Sequence, residues 1–281
     1  MFLKIVFFSL IIIFHSGNLL SEEWKNSGDV GVQLSAIGFQ DWEQGGENAS
    51  SVVFLLKYNV SYIDSNFQWE NDIDLGYGVN YSDEFNWRKN QDKIDINSKF
   101  GHKAFADFNY AAQLNFKTQF YDGYDYSVSD SNIVSKLLSP AYLNLSLGLD
   151  YKAVENLSLF LSPVSGRLII VADDSLSNIG AYGVEPGKII TPELGANFVG
   201  KGKWEIFTNV FFDSKLELFL NFTPQNSEQI KNIDVNWENN FLLKVNDYLS
   251  ANAFIHLLYD HDVVARLQKK YFGGLGLTFK L

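Results

Sequence analysis

The stretch NFQWENDIDLGYGVNY, residues 66–81, decides the fold. Its odd-numbered positions are almost all apolar or aromatic, and its even-numbered positions are polar or glycine. The first set is Phe67, Trp69, Asn71, Ile73, Leu75, Tyr77, Val79 and Tyr81, and the second set includes the carboxylates Glu70, Asp72 and Asp74. A period of two residues predicts a β-strand with two unlike faces. In a soluble sandwich the apolar face would meet a core, whereas in a membrane barrel it would meet lipid and the polar face would line a lumen.

The same alternation continues along the chain and predicts about twelve strands. We expect them at 28–39, 50–62, 67–80, 91–101, 105–120, 140–152, 156–171, 189–199, 204–222, 232–246, 249–260 and 271–281. Most are about twice as long as the 5–6 residues of an ordinary globular strand. A tilted strand needs roughly ten residues to cross a bilayer, so these lengths favour a membrane protein.

The connections between the predicted strands alternate in length. Short ones are expected at 63–66, 102–104, 153–155, 200–203 and 247–248, and long ones at 40–49, 81–90, 121–139, 172–188, 223–231 and 261–270. Tight turns on the periplasmic side and longer loops outside are typical of outer-membrane barrels.

Aromatic residues on the apolar faces concentrate near the predicted strand ends. The expected periplasmic girdle is Tyr62, Trp69, Phe100, Tyr151, Trp204 and Phe279, and the expected outer girdle is Tyr77, Tyr81, Phe120, Phe222 and Tyr259. Two aromatic girdles mark the two membrane interfaces. The sequence therefore predicts an all-β protein, a closed antiparallel up-and-down transmembrane β-barrel of about twelve strands in the outer membrane.

Composition excludes several classes of protein. The 281-residue chain has a formal net charge of −11, which argues against a nucleic-acid partner because phosphate binding needs basic residues. It contains no cysteine, which excludes disulfides, a cysteine-ligated zinc site and a lipidated cysteine. Residues 1–21, with Lys4 and an apolar run over 2–14, predict a signal peptide that leaves 22–281 as the barrel domain. An anchoring N-terminal helix is the alternative for this segment.

Several segments together resemble one protein family. They are WEQGGEN (42–48), WENDIDLGYG (69–78), RKNQDKIDINSKFGHK (88–103), FKTQFYDGYDY (116–126), LSPAYLNLSLGLDYK (138–152), LSPVSGR (161–167), NIDVNWE (232–238) and LLYD (257–260). The sequence is similar in these segments to domain-of-unknown-function family 3078, bacterial outer-membrane proteins common in Bacteroidetes. The resemblance runs from residue 40 to the C-terminus. It implies a β-barrel and a Gram-negative source, and it implies no particular activity.

The predicted lumen carries both signs of charge, with carboxylates in excess. Its main charged residues are Glu70, Asp72, Asp74, Lys93, Asp95, Lys99, Asp107, Lys117, Lys215, Glu217, Asp234, Glu238 and Lys244. Such an interior is either a narrow channel with a weak preference for cations or a plug of paired side chains. A barrel of about twelve strands lies between filled and open sizes, so strand number does not decide between the two.

We interpret the protein as a narrow or gated passive pore for small polar or cationic solutes. One alternative is a barrel that does not conduct and serves a structural or loop-presenting role. Another is a hydrolase at the outer rim, where His261, Asp262 and Asp173 could activate water. We expect no enzyme activity, no metal and no cofactor. The expected partners are outer-membrane lipid, lipopolysaccharide and the barrel-insertion machinery.

The predicted turns also fix an expected register. The loop at 81–90 and the turn at 102–104 place Lys99 opposite both Asp72 and Asp107, which predicts a charge triad near the periplasmic side. Pro163 and Pro192 fall inside predicted strands, so each should lie at a bulge or a missing ladder bond.

Overall fold

The computed structural model describes residues 24–40, 47–129, 131–154, 156–223 and 233–281. The predicted signal peptide, residues 1–21, lies outside this part of the chain. The strands are β1 Trp24–Ile37, β2 Ala49–Ile63, β3 Phe67–Ser82, β4 Asn86–Phe105, β5 Phe108–Thr118, β6 Gly123–Tyr124, β7 Ile133–Ser135, β8 Ala141–Val154, β9 Leu157–Ile170, β10 Ile190–Phe207, β11 Val210–Asn221, β12 Ile233–Lys244, β13 Leu249–Asp260 and β14 Val264–Lys280. A short helix, Asp174–Asn178, and a 3-10 turn, Ala181–Gly183, follow β9.

Twelve of these strands form one closed antiparallel barrel, and β6 and β7 form a small hairpin in the loop after β5. Each barrel strand pairs with its neighbours along the chain, and β1 closes the ring against β14 with Asp29 opposite Lys280 and Leu34 opposite Leu275. Among the described strands of the barrel, closure leaves no strand with only one neighbour. The predicted up-and-down barrel of about twelve strands is confirmed.

The apolar faces of the strands form the outside of the barrel. Leu145, Leu161 and Leu275 on three different strands are 53%, 57% and 58% exposed, and in β3 Trp69, Ile73 and Tyr77 are also exposed. A continuous apolar outer wall around a closed barrel is stable against hydrocarbon, where every backbone group must be bonded internally. The protein is therefore an outer-membrane β-barrel, and the carboxylates of its opening stretch face the lumen. The described helices include none long and apolar enough to span a bilayer.

The two ends of the barrel differ. Both chain ends of the barrel and turns such as 64–66 and 208–209 lie at one end, which we call the turn end. The connections 119–140 and 171–189 lie at the other, which we call the loop end. Short turns mark the periplasmic side of such barrels, so the loop end faces outward.

Two of the predicted long loops are wrong. The segment 81–90 contains only a turn at 83–85 between β3 and β4, and 261–270 contains only a turn at 261–263 between β13 and β14. The strands continue through the polar residues that predicted loops. Strand residues that face the polar lumen include many amides and charges. Their composition therefore resembles that of a solvent-exposed loop.

The predicted turn at 200–203 is also wrong. Gly200, Lys201, Gly202 and Lys203 lie within β10, where Lys201 is opposite Lys215 and Lys203 is opposite Asp213. The alternation of glycine and lysine is itself a strand pattern, with lysine towards the lumen. The actual turn is at 208–209, where Asn209 adopts a left-handed φ of 63°.

The predicted charge triad does not form. Lys99 is opposite Glu70 on β3 and Gln113 on β5, and Asp72 is opposite Asn97. Asp107 lies in the exposed turn 106–107, six positions before Gln113, the β5 residue that is opposite Lys99. The error comes from the turn positions, because β4 continues to Phe105 and each displaced turn residue shifts the register.

The two prolines differ. Around Pro163 the register of β9 shifts against both of its neighbours. The shift lies between Leu147 and Leu149 of β8 on one side and between Gly195 and Asn197 of β10 on the other. The predicted bulge at Pro163 is confirmed. Pro192 instead pairs in continuous register with Leu168. On the other side of β10, β11 ends at Asn221, which is opposite Gly195 and so does not extend to the level of Pro192. Pro192 therefore needs no bulge on that side.

Candidate functional site: the lumen

A buried charge cluster lies near the turn end of the lumen. Lys99 Nζ is 2.7 Å from Asp150 Oδ1 and 3.5 Å from Glu70 Oε2. Lys152 also pairs with Glu70, across two intervening strands. The Asp150 side chain is 0% exposed and also accepts hydrogen bonds from Gln68 and Ser158. This cluster joins β3, β4, β8 and β9 on one side of the barrel.

Ion pairs cross the middle of the lumen. Lys93 Nζ lies 2.9 Å from Asp74 Oδ2 on the neighbouring strand and 2.9 Å from Glu238 Oε2 on the far wall. Lys215 reaches back from β11, 3.0 Å from Asp95 Oδ2 and 2.7 Å from Glu217 Oε1. We call these residues, together with Lys117, the transverse belt: Asp74, Lys93, Asp95, Lys117, Lys215, Glu217 and Glu238.

Lys117 completes the transverse belt. It extends from β5 and pairs with Glu217 on β11. The belt thus ties β3, β4 and β5 to β11 and β12 on the opposite side of the barrel. Asn115 and Asn236 add amide hydrogen bonds to Asp95 and Glu217. Each belt carboxylate has a cationic partner, as buried charges require.

The structure adds cations that the sequence did not predict for the lumen. Lys201 Nζ on β10 is 3.1 Å from Asp72 Oδ2, and Lys270 Nζ on β14 is 2.9 Å from the carbonyl oxygen of Asn90. Lys201 and Lys203 were hidden by the mistaken turn, and Lys270 by the mistaken loop. Their alternation with outward residues was the signal that could have found them.

A fourth missed cation lies nearer the loop end. Arg167 Nε is 2.5 Å from Glu193 Oε2, and Arg167 Nη2 is 2.6 Å from Asp234 Oδ2. Its guanidinium carbon lies 3.9 Å from the ring centroid of Phe219. The bulge at Pro163 shifts the alternation of β9, which is why the pattern did not place Arg167 inward. With four extra cations the lumen is more evenly charged than the sequence indicated.

Two predicted lumen charges lie elsewhere. Asp107 is in the exposed turn after β4, so its assignment to the lumen is wrong. Lys244 ends β12 at the rim of the turn end, where its Nζ is 3.0 Å from Asp247 Oδ1 in the following turn. Lys244 thus pairs with a turn residue and does not contribute to the transverse belt.

The predicted girdle residues lie near the strand ends. At the turn end they are Tyr62, Trp69, Phe100, Tyr151, Trp204 and Phe279, and towards the loop end they are Tyr77, Tyr81, Phe120, Phe222 and Tyr259. Phe120 and Phe222 follow the last residues of β5 and β11 and so lie in loops. At the turn end Trp24 contacts both Tyr62 and Trp69, at centroid distances of 5.3 and 5.9 Å. Aromatic side chains in tilted and edge-to-face contact at this level suit a lipid interface.

Two cavities of the described lumen are lined in part by the transverse belt. The larger, of about 1020 Å³, reaches the loop end, where Tyr142 and Tyr182 line it, and it also passes the belt to Lys203 and Asp213. The smaller, of about 290 Å³, lies towards the turn end. Asp74, Asp95 and Glu238 line both cavities, so the two cavities meet at the belt.

The loop after β9 covers part of the outer mouth. Val171, Leu176 and Val184 pack with Ile169 in a small apolar cluster that Tyr182 joins. The Tyr182 hydroxyl donates a hydrogen bond to the Val134 carbonyl oxygen in the preceding long loop. A Cβ at Gly183 would lie 3.2 Å from Asp262 Cβ, so this loop reaches the turn between β13 and β14.

An ion pair ties the two long loops together. Lys136 Nζ is 2.6 Å from Asp173 Oδ2, and Asp173 Oδ1 accepts backbone hydrogen bonds from Ser175 and Leu176 at the start of the short helix. The hydrogen bond from Lys136 holds the pKa of Asp173 below its ordinary value of 3.8. The same bond raises the pKa of Lys136 above its ordinary value of 10.5.

One member of the rim cluster considered for hydrolysis is already engaged. The Asp173 carboxylate binds Lys136 and accepts backbone hydrogen bonds at the helix start. On the lumen wall, His256 contacts Asn236 through Nε2 at 2.7 Å. Among the described residues, no group of three histidine or carboxylate side chains is arranged to hold a metal ion. The rim hydrolase stays a prediction.

Comparison with known proteins finds one family model that matches part of the chain and several solved structures of low sequence identity. Residues 34–124 match DUF3078, a protein of unknown function. No curated protein matches the sequence. An outer-membrane channel from Pseudomonas putida F1 is 13% identical, with 93% of this chain and 96% of that chain covered and a TM-score of 0.43.

Two further solved structures have other activities. The translocator domain of the autotransporter NalP from Neisseria meningitidis is 9% identical, with 98% and 95% of the two chains covered and a TM-score of 0.38. Outer membrane phospholipase A from Escherichia coli is 11% identical, with 90% of each chain covered and a TM-score of 0.38.

Proposed function

We propose that the protein is a narrow passive pore of the outer membrane for small polar solutes. The observation that carries the proposal is the pair of lumen cavities that meet at the transverse belt. There Lys93 and Glu238 cross the lumen, with Lys93 Nζ 2.9 Å from Glu238 Oε2. We expect these crossing side chains to narrow the passage, and a constriction is where a pore selects by size and charge.

The charge balance of the lumen argues for weak ion preference. The sequence alone indicated an excess of inward carboxylates and hence a cation-preferring pore. Arg167, Lys201, Lys203 and Lys270 offset much of that excess, and Arg167, Lys201 and the belt lysines lie within ion-pair distance of carboxylates. Paired charges leave a weak net field, so we expect neutral polar solutes to pass along with small ions of both signs.

Planar-bilayer conductance of the refolded protein tests this function. We expect small conductance steps for the wild type and larger steps for Lys93→Ala/Glu238→Ala, because that variant removes one ion pair that crosses the lumen. The matched control is Lys244→Ala/Asp247→Ala, which removes a pair of the same charges at the rim. Its conductance should equal that of the wild type.

The alternative is a barrel that does not conduct, and the complete pairing of the belt carboxylates favours it. In that case the wild type would show no conductance, and the belt variant would either remain silent or open a path that the native belt blocks. Silence of the wild type under conditions where a known porin conducts would contradict the pore proposal.

A further inference from the structure

Two phenylalanines face the lumen at the same level of neighbouring strands. Phe254 on β13 is the cross-strand partner of Phe272 on β14. Phe254 shares its face with His256, which bonds the lumen residue Asn236, and Phe272 shares its face with Lys270, which reaches Asn90. Both rings line the larger cavity.

The two phenylalanines are apolar residues on a mostly polar face. Lumen faces are normally polar, and aromatic residues concentrate at the lipid interfaces. The ring of Phe272 lies beside Gly274, since its Cζ would be 3.3 Å from a Cβ there. Both rings contribute apolar surface to the cavity.

Amide side chains surround this apolar surface. Asn240 is the cross-strand partner of Phe254 on β12, and Asn252 precedes Phe254 on the same face of β13. Gln33 lies on β1, opposite Gly276 of the strand that carries Phe272. All three line the larger cavity. Each planar amide both donates and accepts hydrogen bonds, which matches adjacent hydroxyl groups.

We propose that Phe254, Phe272, Gln33, Asn240 and Asn252 form a subsite for a sugar ring, a neutral solute with many hydroxyl groups. The apolar face of the ring would stack on the phenylalanines, and its hydroxyls would bond the amides. The nearby charges already have partners, since Lys93 pairs with Glu238 and Lys270 donates to the Asn90 carbonyl oxygen, so an ionic solute gains little here. A cavity of about 1020 Å³ has room for a disaccharide. This inference rests on the proposed pore for the entry of the solute.

Calorimetry tests the subsite directly. Refolded protein, in a detergent without a sugar headgroup, is titrated with maltose and separately with lysine. We expect maltose to bind at millimolar concentration and lysine not to bind. Phe254→Leu/Phe272→Leu should weaken maltose binding by about tenfold, or about 1.4 kcal/mol, because the variant removes the flat rings on which the sugar would stack. Phe279→Leu, which changes an outward ring, should leave binding unchanged.

A second variant separates the subsite from folding defects. Asn240→Leu keeps both rings and should also weaken maltose binding, and the mobility of unheated samples on gels shows that each variant forms the barrel. No maltose binding by the wild type, or equal binding by the wild type and both variants, overturns the subsite. Conductance without maltose binding overturns the subsite and leaves the pore. Maltose binding without conductance supports the subsite and overturns the pore.

Discussion

At the scale of single residues, Lys99 has the most buried ammonium environment among the described lumen ion pairs. Its side chain is 9% exposed, and its partner Asp150 is 0% exposed. Removing one member of a buried pair is costly because the other charge stays out of water. Lys152 and Gln68 also contact Asp150, so they reduce the free energy that is lost when Lys99 is removed.

Lys99→Met should therefore lower the free energy of unfolding by about 3 kcal/mol. The measurement is the urea midpoint of the refolded protein in detergent micelles. Lys57→Met is the matched control, because Lys57 Nζ is 3.9 Å from Asp213 Oδ2 and its side chain is 54% exposed. The control should cost less than about 1 kcal/mol. Equal midpoints for the two variants would show that burial of the Asp150 pair does not stabilise the barrel.

At the scale of elements, the loop after β9 is held by Asp173. Because Lys136 lowers the pKa of Asp173, this carboxylate stabilises the docked loop above its ordinary value of 3.8 and loses that effect as the pH falls below it. The raised pKa of Lys136 has the opposite sign, so its contribution is present below 10.5 and is lost at higher pH. The contribution of the Lys136–Asp173 pair should accordingly be insensitive to pH between these two values.

Hydrogen exchange tests the role of Asp173 in this element. At neutral pH Asp173→Asn should speed exchange of the Ser175 and Leu176 amides, since the variant loses the charge that these amides and Lys136 share. Asp174→Asn changes the adjacent acid, which lacks those contacts, and should exchange like the wild type. Unchanged exchange in Asp173→Asn would mean that other contacts of the loop, such as that of Tyr182, hold it alone.

The same scale shows how far the sequence predicts the structure. Alternation identified the outward face of β3 and the inward carboxylates Glu70, Asp72 and Asp74, because a strand has only two faces. It misplaced strand ends wherever polar residues continued into the lumen, as at 81–90 and 200–203. Ion-pair partners across the barrel, such as Glu238 for Lys93, could not be predicted, because they depend on closure and on the position of every turn.

At the scale of the whole molecule, closure of the sheet is what creates the enclosed lumen. The ring from β1 to β14 satisfies the backbone in lipid, and it encloses charges that would otherwise face hydrocarbon. The transverse belt then joins opposite walls and so braces the barrel. The proposed pore passes this belt, where we expect the crossing side chains to narrow it.

Swelling of proteoliposomes tests that central claim most directly. Vesicles carrying the refolded wild-type protein are diluted into solutes of rising size, beginning with glycine and glucose and ending with a trisaccharide. We expect rapid swelling with the small polar solutes and little with the trisaccharide, because the proposed passage narrows at the Lys93–Glu238 ion pair. Swelling no faster than that of empty vesicles for every solute would contradict this expectation.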